Sequence, residues 1–351
     1  MRDAERESYV LSPGDSLADA MRALQANREG VAVVTDESER VLGTVIDADI
    51  RRATLSAVEL TAPVTQVMSR NPVRAPAGTG NEELLDVMRL HRLRAVPVVD
   101  GDDRLVDVKS LTSLVEDEIL PVTVIMAGGE GRRLRPLTDH VPKPLVKVGD
   151  RAIVERVIAP LRRAGIKDIT LALNYKADAI KEYLGRGERM GVSLRYLVEE
   201  QRMGTAGALA LLPEAPDRPI CVANADIVTT MSFSRLFDYH WHHRAAITVA
   251  AVGYVSHIPY GVLRTAGHYM LRMDEKPEER VLCSGGIYVL DPEVLRFIRG
   301  RAPLDMPDLV ADVLAEGLPV CVFPILEKWF DVGRLEDLER ARTEFTLSEE
   351  G

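Results

Sequence analysis

The sequence predicts an α/β protein in two parts, one over residues 1–118 and a larger one over 121–351. Three observations lead there. Residues 1–118 hold an internal repeat, which fixes their organisation as two copies of one small unit. From Val122 onward short apolar runs alternate with stretches of helical spacing, the pattern of a mixed, mostly parallel sheet flanked by helices. The first of these runs, 122–127, breaks at once into Gly128-Gly129-Glu130-Gly131, a strand end followed by a glycine turn.

The repeat has a period of 64 residues and needs no gap. Residues 31–36 fall on 95–100, and Arg40-Val41-Leu42 falls on Arg104-Leu105-Val106. A helix with Leu17, Met21 and Leu24 on one face falls on one carrying Asn81, Leu85 and Met88. Ser16 and Asp19 have the spacing of a capping box that starts the first helix. Each copy therefore reads helix, strand, turn, strand, short helix, with the copies at about 1–62 and 63–118. A short acidic link, Glu116-Asp117-Glu118, and Pro121 lead into the second part. There, 152–164 has helical spacing through Ile153, Val157 and Leu161 and stops at Gly165. Strands are expected at 169–173, 194–198 and 220–223, and an amphipathic helix at 335–345.

Composition narrows the class of function. A net charge of −10 argues against a nucleic-acid partner. Residues 1–120 carry 14 basic and 22 acidic side chains and the remainder 30 and 32, so the acidic excess sits away from the glycine turn. No apolar run is long enough to span a membrane, and the polar, acidic first ten residues have no signal-peptide core. Cys221, Cys283 and Cys321 lie far apart within apolar runs, which suggests buried reduced thiols in a cytoplasmic protein.

Chemistry concentrates after the first long strand. Glycines there let the backbone take positive φ and bring N–H groups up to an anion. Arg132, Arg133, Arg135 and Lys143 follow within reach of phosphate oxygens. By itself the glycine turn reads more readily as a solvated surface loop, since a lone glycine motif is weak. No Gly-Lys-Ser/Thr follows, so it is not a P-loop, and Leu134 replaces the third glycine of a dinucleotide fingerprint. Asp226 closes the apolar run at 220–223, either as a hard oxygen ligand for Mg²⁺ or as a helix cap. The run His240-Trp241-His242-His243 lacks further clustered ligands and reads as the polar end of a helix beginning near Ser234.

Taken whole, VIMAGGEGRRLRPLTDHVPKPLVKV resembles the signature of the sugar-1-phosphate nucleotidyltransferases, G-G-x-G-T-R-L-x-P-L-T followed by P-K-P-L. Arg132 stands where that family has threonine. Four further stretches are similar to the same family: Glu200 to Gly207, Tyr260-Gly261-Val262 with Glu275-Lys276-Pro277, Ser284 to Tyr288, and Trp329 to Gly333. The resemblance implies a Rossmann-like core that moves a nucleotidyl group from a nucleoside triphosphate to a sugar 1-phosphate. It places Arg133, Lys143 and Asp226 at the reacting phosphates, with Mg²⁺ on Asp226 and Asp331. Ala127, Gly128, Gly129, Gly131, Glu200, Gly204, Thr205 and Ala206 would bind the nucleotide. Gly261, Glu275, Lys276, Ser284 and Gly286 would bind the sugar phosphate, with Ser284 in place of the usual asparagine.

Residues 1–118 resemble a tandem CBS (cystathionine-β-synthase-type) pair, and VMSRNP at 67–72 is a familiar entry to a second copy. That resemblance implies a purine nucleotide in one cleft, with Asp49 of GTVIDADIR holding the ribose and Ser113 at the matching position of the other copy. A purely structural module is the other reading of the pair. The order of domains and the run EEQRMGTAGAL are most similar to bacterial guanylyltransferases acting on glucosamine 1-phosphate, then to those acting on mannose 1-phosphate. A GTP-using, homo-oligomeric enzyme is therefore expected. A thymidylyl- or uridylyltransferase, or a non-catalytic sugar-nucleotide sensor, are the alternatives.

Overall fold

The computed structural model of the chain describes residues 9–27, 30–114, 120–213 and 215–347. They fall into two compact units, Met1–Leu120 with Ser234–Arg244, and Pro121–Phe233 with Ala245–Gly351. The expected division near 118–121 thus leaves out one helix, Phe233–His243, most of which belongs with the first 120 residues.

The first unit is built twice. Strands Val10–Leu11, Val31–Thr35 and Val41–Ile46 form one small sheet, and Ala75–Pro76, Ala95–Val99 and Leu105–Ser110 form the other. Val31 pairs with Ile46 and Ala95 with Ser110, and both hairpins slip register one step after Val34 and Val98. The 64-residue period therefore holds down to the irregularities. Ser16 and Asp19 close the expected capping box, each backbone N–H donating to the other's side chain. On the helix faces the reading needs one correction: Leu17, Ala20 and Leu24 are buried, matched by Leu84 and Met88 rather than by Asn81 and Leu85. Val33 and Val41 meet Val99 and Leu105, so the copies share an apolar seam, stitched by Val41 N–H to the Asp103 carbonyl and Leu105 N–H to that of Glu39.

The second unit is organised by a seven-stranded sheet. Its order is Ser193–Val198, Asp168–Leu173, Val122–Met126, Ile220–Asn224, Glu278–Leu290, Ile247–His257, Val320–Ile325. The first four strands are parallel to one another and Glu278–Leu290 runs against both its neighbours. Strands buried on both faces must be apolar throughout, and Val124, Ile125, Leu171, Ala172 and Val222 are all fully covered. Helix Ile153–Arg163 buries Ile153, Val157 and Leu161 as their spacing requires. Beyond Val252 the strand Ile247–His257 and its partner leave the core as a ribbon, joined by the hairpin Val262–Ala266 and Tyr269–Asp274. Cys283 lies on that ribbon and is exposed, contrary to expectation, while Cys221 in the central strand is buried. No helix among the described residues is long and apolar enough to cross a membrane.

Candidate active site

Parallel strands gather their carboxyl ends along one edge, and the predicted phosphate residues lie there. Val122–Met126 ends at Ala127, whose N–H still bonds Ala172 as the last rung of the sheet. After it the amides of Gly128, Gly129, Glu130 and Gly131 donate to no acceptor among the described residues. Four free N–H groups in one turn make an anion nest. Gly131 has φ +66°, and a Cβ there would lie 2.9 Å from the Lys143 Cβ, so only glycine lets the turn fold over that lysine.

Lys143 is 8% exposed and its Nζ donates to Asp226 Oδ2 at 2.5 Å. Asp226 follows the strand Ile220–Asn224 and precedes Ile227–Thr229, which pairs Ile227 with Asp331 on the antiparallel strand Trp329–Asp331. Val332 N–H donates to the Asp226 carbonyl, so the two aspartates are fixed side by side by backbone register. Asp331 Oδ1 is buried and has no hydrogen-bond partner among the described residues. Burial and the neighbouring Asp226 charge push the Asp331 carboxyl up, against the pull of Lys143 and Arg133. An orphaned oxygen beside a second carboxylate fits a hard divalent cation. Arg133 lies over Gly333, its Nη2 3.1 Å from where a Cβ of that glycine would be. Arg133, Lys143, Asp226 and Asp331 are thus brought together.

The residues expected at the nucleotide after the strand Ser193–Val198 differ in burial and partners. Glu200 is exposed, whereas Glu199 is 8% exposed and its Oε1 lies 3.3 Å from the position of a Gly128 Cβ. Glu199 Oε2 accepts from Met203 N–H, and Asn174 holds the Glu199 carbonyl. Of two adjacent glutamates, the one that points into the cradle is Glu199, which sequence reasoning missed. Gly204, Thr205 and Ala206 form a brace behind it. Thr205 N–H and Oγ1 donate to Asp305, while Ala206 and Gly207 donate to the Leu304 carbonyl. Gly204 has φ +83°, and a Cβ there would be 2.4 Å from the Leu304 oxygen.

On the other side, Gly286 packs against the Asn224 side chain and Ser284 Oγ bonds the Tyr288 hydroxyl at 2.8 Å. Gly261 meets Glu275, whose Oε2 is 3.1 Å from where a Cβ would sit. Glu275 and Lys276 are exposed at the base of the hairpin, just after the strand Tyr269–Asp274.

In the first unit Asp49 caps its own helix, accepting from Ile46 N–H at 3.0 Å and pairing with Arg52. The cleft between the copies is lined instead by Gly30, Ile46, Asp47 and Arg94. The Ser113 side chain and the link at 116–118 lie outside the described residues. The histidines of 240–243 form the last turn of the helix Phe233–His243, and no cluster of three or more metal-type ligands occurs among the described residues.

Comparison with known proteins bears on the family and the fold. The family profile described as Nucleotidyl transferase matches residues 122–348, and that of the CBS domain matches 2–56 and 64–115. Mannose-1-phosphate guanyltransferases of Candida albicans and Saccharomyces cerevisiae are 37% and 34% identical over 223 residues, 61% of this chain. The chain spans about three fifths of the length of those curated relatives (61% and 62%). A solved structure described as a putative glucose-1-phosphate thymidylyltransferase from Bacillus anthracis shares the fold at TM-score 0.53 and 23% identity, covering 64% of this chain and 95% of that one. HddC from Yersinia pseudotuberculosis does so at 0.51 and 21%, covering 64% and 100%. The chain belongs to the nucleotidyl transferase family and carries a pair of CBS domains ahead of that core.

Proposed function

We propose that the protein is a sugar-1-phosphate guanylyltransferase, transferring GMP from GTP to a hexose 1-phosphate with release of pyrophosphate. One observation carries the reading: a turn with four free N–H groups faces a lysine, an arginine and two aspartates across one sheet edge. A phosphate oxygen of the sugar 1-phosphate forms a bond to the α-phosphorus of GTP as the bond to the β-phosphate oxygen breaks. No covalent nucleophile from the protein is needed. The chain's task is to hold two polyanions in line and to offset charge that shifts toward the leaving pyrophosphate. The 128–131 amides and Arg133 would hold the β- and γ-phosphates, and Lys143 the α-phosphate. Asp226 and Asp331 would hold Mg²⁺, which supplies Lewis-acid charge at the reacting phosphate when bound.

Guanine presents two parallel N–H donors on one edge, which a carboxylate accepts together. Glu199, buried beside Gly128, would provide that carboxylate. A uracil or thymine offers one such donor, and its flanking carbonyls would face Glu199 unpaired. The relatives' names favour mannose 1-phosphate, whereas the domain order and motifs of this chain favour glucosamine 1-phosphate. The test is pyrophosphate release with GTP, dTTP, UTP and ATP against both sugars. GTP preferred over dTTP and UTP is the expected outcome, and the reverse order would replace the guanylyl reading. A purine nucleotide at the CBS pair, homo-oligomerisation and a cytoplasmic setting belong to the same proposal.

A further inference from the structure

The first unit contains an arrangement that the transfer reaction does not use. Its cleft lies between the starts of two equivalent strands, Gly30-Val31 in one copy and Arg94-Ala95 in the other. Into it packs the helix Phe233–His243, which lines the cleft with Arg235, Asp238, Tyr239 and His242. Asp238 Oδ1 accepts from Arg94 Nη1 at 2.6 Å. Its Oδ2 faces Gly30, 3.7 Å from where a Cβ would be. Arg235 pairs with Asp47 at 3.2 Å, and Asp47 is also held by the fully buried Arg51. The cavity left over is about 60 Å³, room for about two waters. A nucleotide needs several times that volume.

We propose that Asp238 is a built-in anion occupying a phosphate position of this cleft, so that the helix and a phosphate-bearing ligand exclude one another. Arg94 is the shared cation. The helix is tied to the catalytic machinery by the chain itself. Residues 230–232 join it to Ile227–Thr229, the strand that follows Asp226 and pairs with the strand of Asp331. Its other end leads through Ala245 into Ile247–His257 of the main sheet. A ligand that displaces Asp238 therefore acts on the segment that sets the aspartate pair, by its differential affinity for the two arrangements.

Burial supports the exchange. It holds the Asp238 carboxyl up to about 6 in spite of Arg94, with Asp47 adding to the rise and Arg235 opposing it. The ionised carboxylate is thus less comfortable in the cleft than in water, and its contact is one that a better-paired anion can replace.

The binding claim stands apart from the guanylyl reading; the effect on turnover rests on it. The experiment titrates adenosine monophosphate and, separately, inorganic phosphate into the full chain. Calorimetry and amide exchange over 234–244 are the readouts, for wild type, Asp238→Asn and Arg94→Met. Asp238→Asn should tighten binding by about tenfold, since it removes the competing charge, and Arg94→Met should abolish it. In wild type the ligand should raise amide exchange across 234–244. Binding of the nucleotide alone, or of phosphate as well, tells which source supplies the anion. Equal affinity in wild type and Asp238→Asn would overturn the proposal. So would binding that leaves the exchange of 234–244 unchanged, or no binding of either probe to any variant. Should a variant misfold by circular dichroism, the wild-type exchange measurement decides alone. A chain that binds in this manner yet transfers no nucleotide would refute the enzymatic reading and leave the exclusion intact.

Discussion

The two sides of the candidate site are built by different means. On the nucleotide side, Lys143 and Glu199 are buried, Gly131 needs a positive φ, and backbone register sets Asp226 beside Asp331. On the sugar side, Gly261, Glu275, Lys276 and Ser284 are exposed, on or beside a ribbon that leaves the core. Tyr260, Leu263, Tyr269 and Leu271 nearby are each more than half exposed. Phosphate chemistry is the same for every member of such a class, so its residues are held by constraints that one substitution breaks. On the proposed reading, sugar identity would rest largely on side chains of the ribbon, with the buried Gly286 the exception. On that reading the reaction class and the base would be set on the first side and the sugar on the second.

The comparison breaks most visibly at the aspartates. Asp226→Asn or Asp331→Asn should lower kcat by roughly 10³-fold or more, with circular dichroism unchanged, because each would remove one of the two carboxylates proposed to hold the cation. Stripping divalent cations with a chelator should match that loss, and Mg²⁺ should reverse it. Near-normal turnover of either variant in Mg²⁺ would place the cation elsewhere.

The cations come next. Lys143→Ala or Arg133→Ala should cost roughly 10²-fold in kcat, as each stabilises charge that moves during the reaction. Lys143→Arg should not restore it. The Lys143 stem lies under Gly131, and a planar fork presents its charge in a different geometry from a compact ammonium. Steady-state rates with full recovery in Lys143→Arg would show that only the charge matters there.

A subtler test concerns the base. Glu199→Gln should reduce the kcat/KM preference for GTP over UTP by about tenfold, since a neutral amide no longer accepts two donors. Glu200→Gln should leave it unaltered. Competition assays with mixed triphosphates separate the two, and a larger effect at Glu200 would reverse the assignment.

That pair also marks where sequence reading stops. Glycine turns, Lys143 between prolines and the two aspartates were legible because backbone geometry and charge admit few substitutes. Glu199 and Glu200 are identical in type, and only the strand register, with Glu199 N–H on the Leu173 carbonyl, decides which turns inward. The bond from Thr205 to Asp305, 100 residues away, has no local signal in the sequence. The same holds for Arg94 and Asp238, 144 residues apart, which draw a helix from the middle of the second part into the first unit. Cys283 misled because an apolar run on a projecting ribbon has the same composition as one in a core. The repeat was legible because a period is visible without any contact, whereas its matching bulges after Val34 and Val98 show only in the strand pairing.

The smallest expected effect lies on the sugar side. Ser284 replaces the asparagine that similar enzymes carry, and its hydroxyl bonds Tyr288, whose own hydroxyl burial pushes up. Ser284→Asn puts a longer side chain with both a donor and an acceptor at that position, within reach of a sugar hydroxyl. The ratio of kcat/KM for glucosamine 1-phosphate to that for mannose 1-phosphate should shift by roughly threefold to tenfold, the value of one imperfect hydrogen bond. The KM for GTP should stay the same, since the nucleotide side is held by separate elements. Glu275→Gln should behave alike, raising the sugar KM a few-fold with the triphosphate KM untouched. Bisubstrate kinetics at saturating GTP and then at saturating sugar measure both. If either substitution moved the two KM values together, the sides would not be independent, and sugar identity would have to be sought in the buried half of the site.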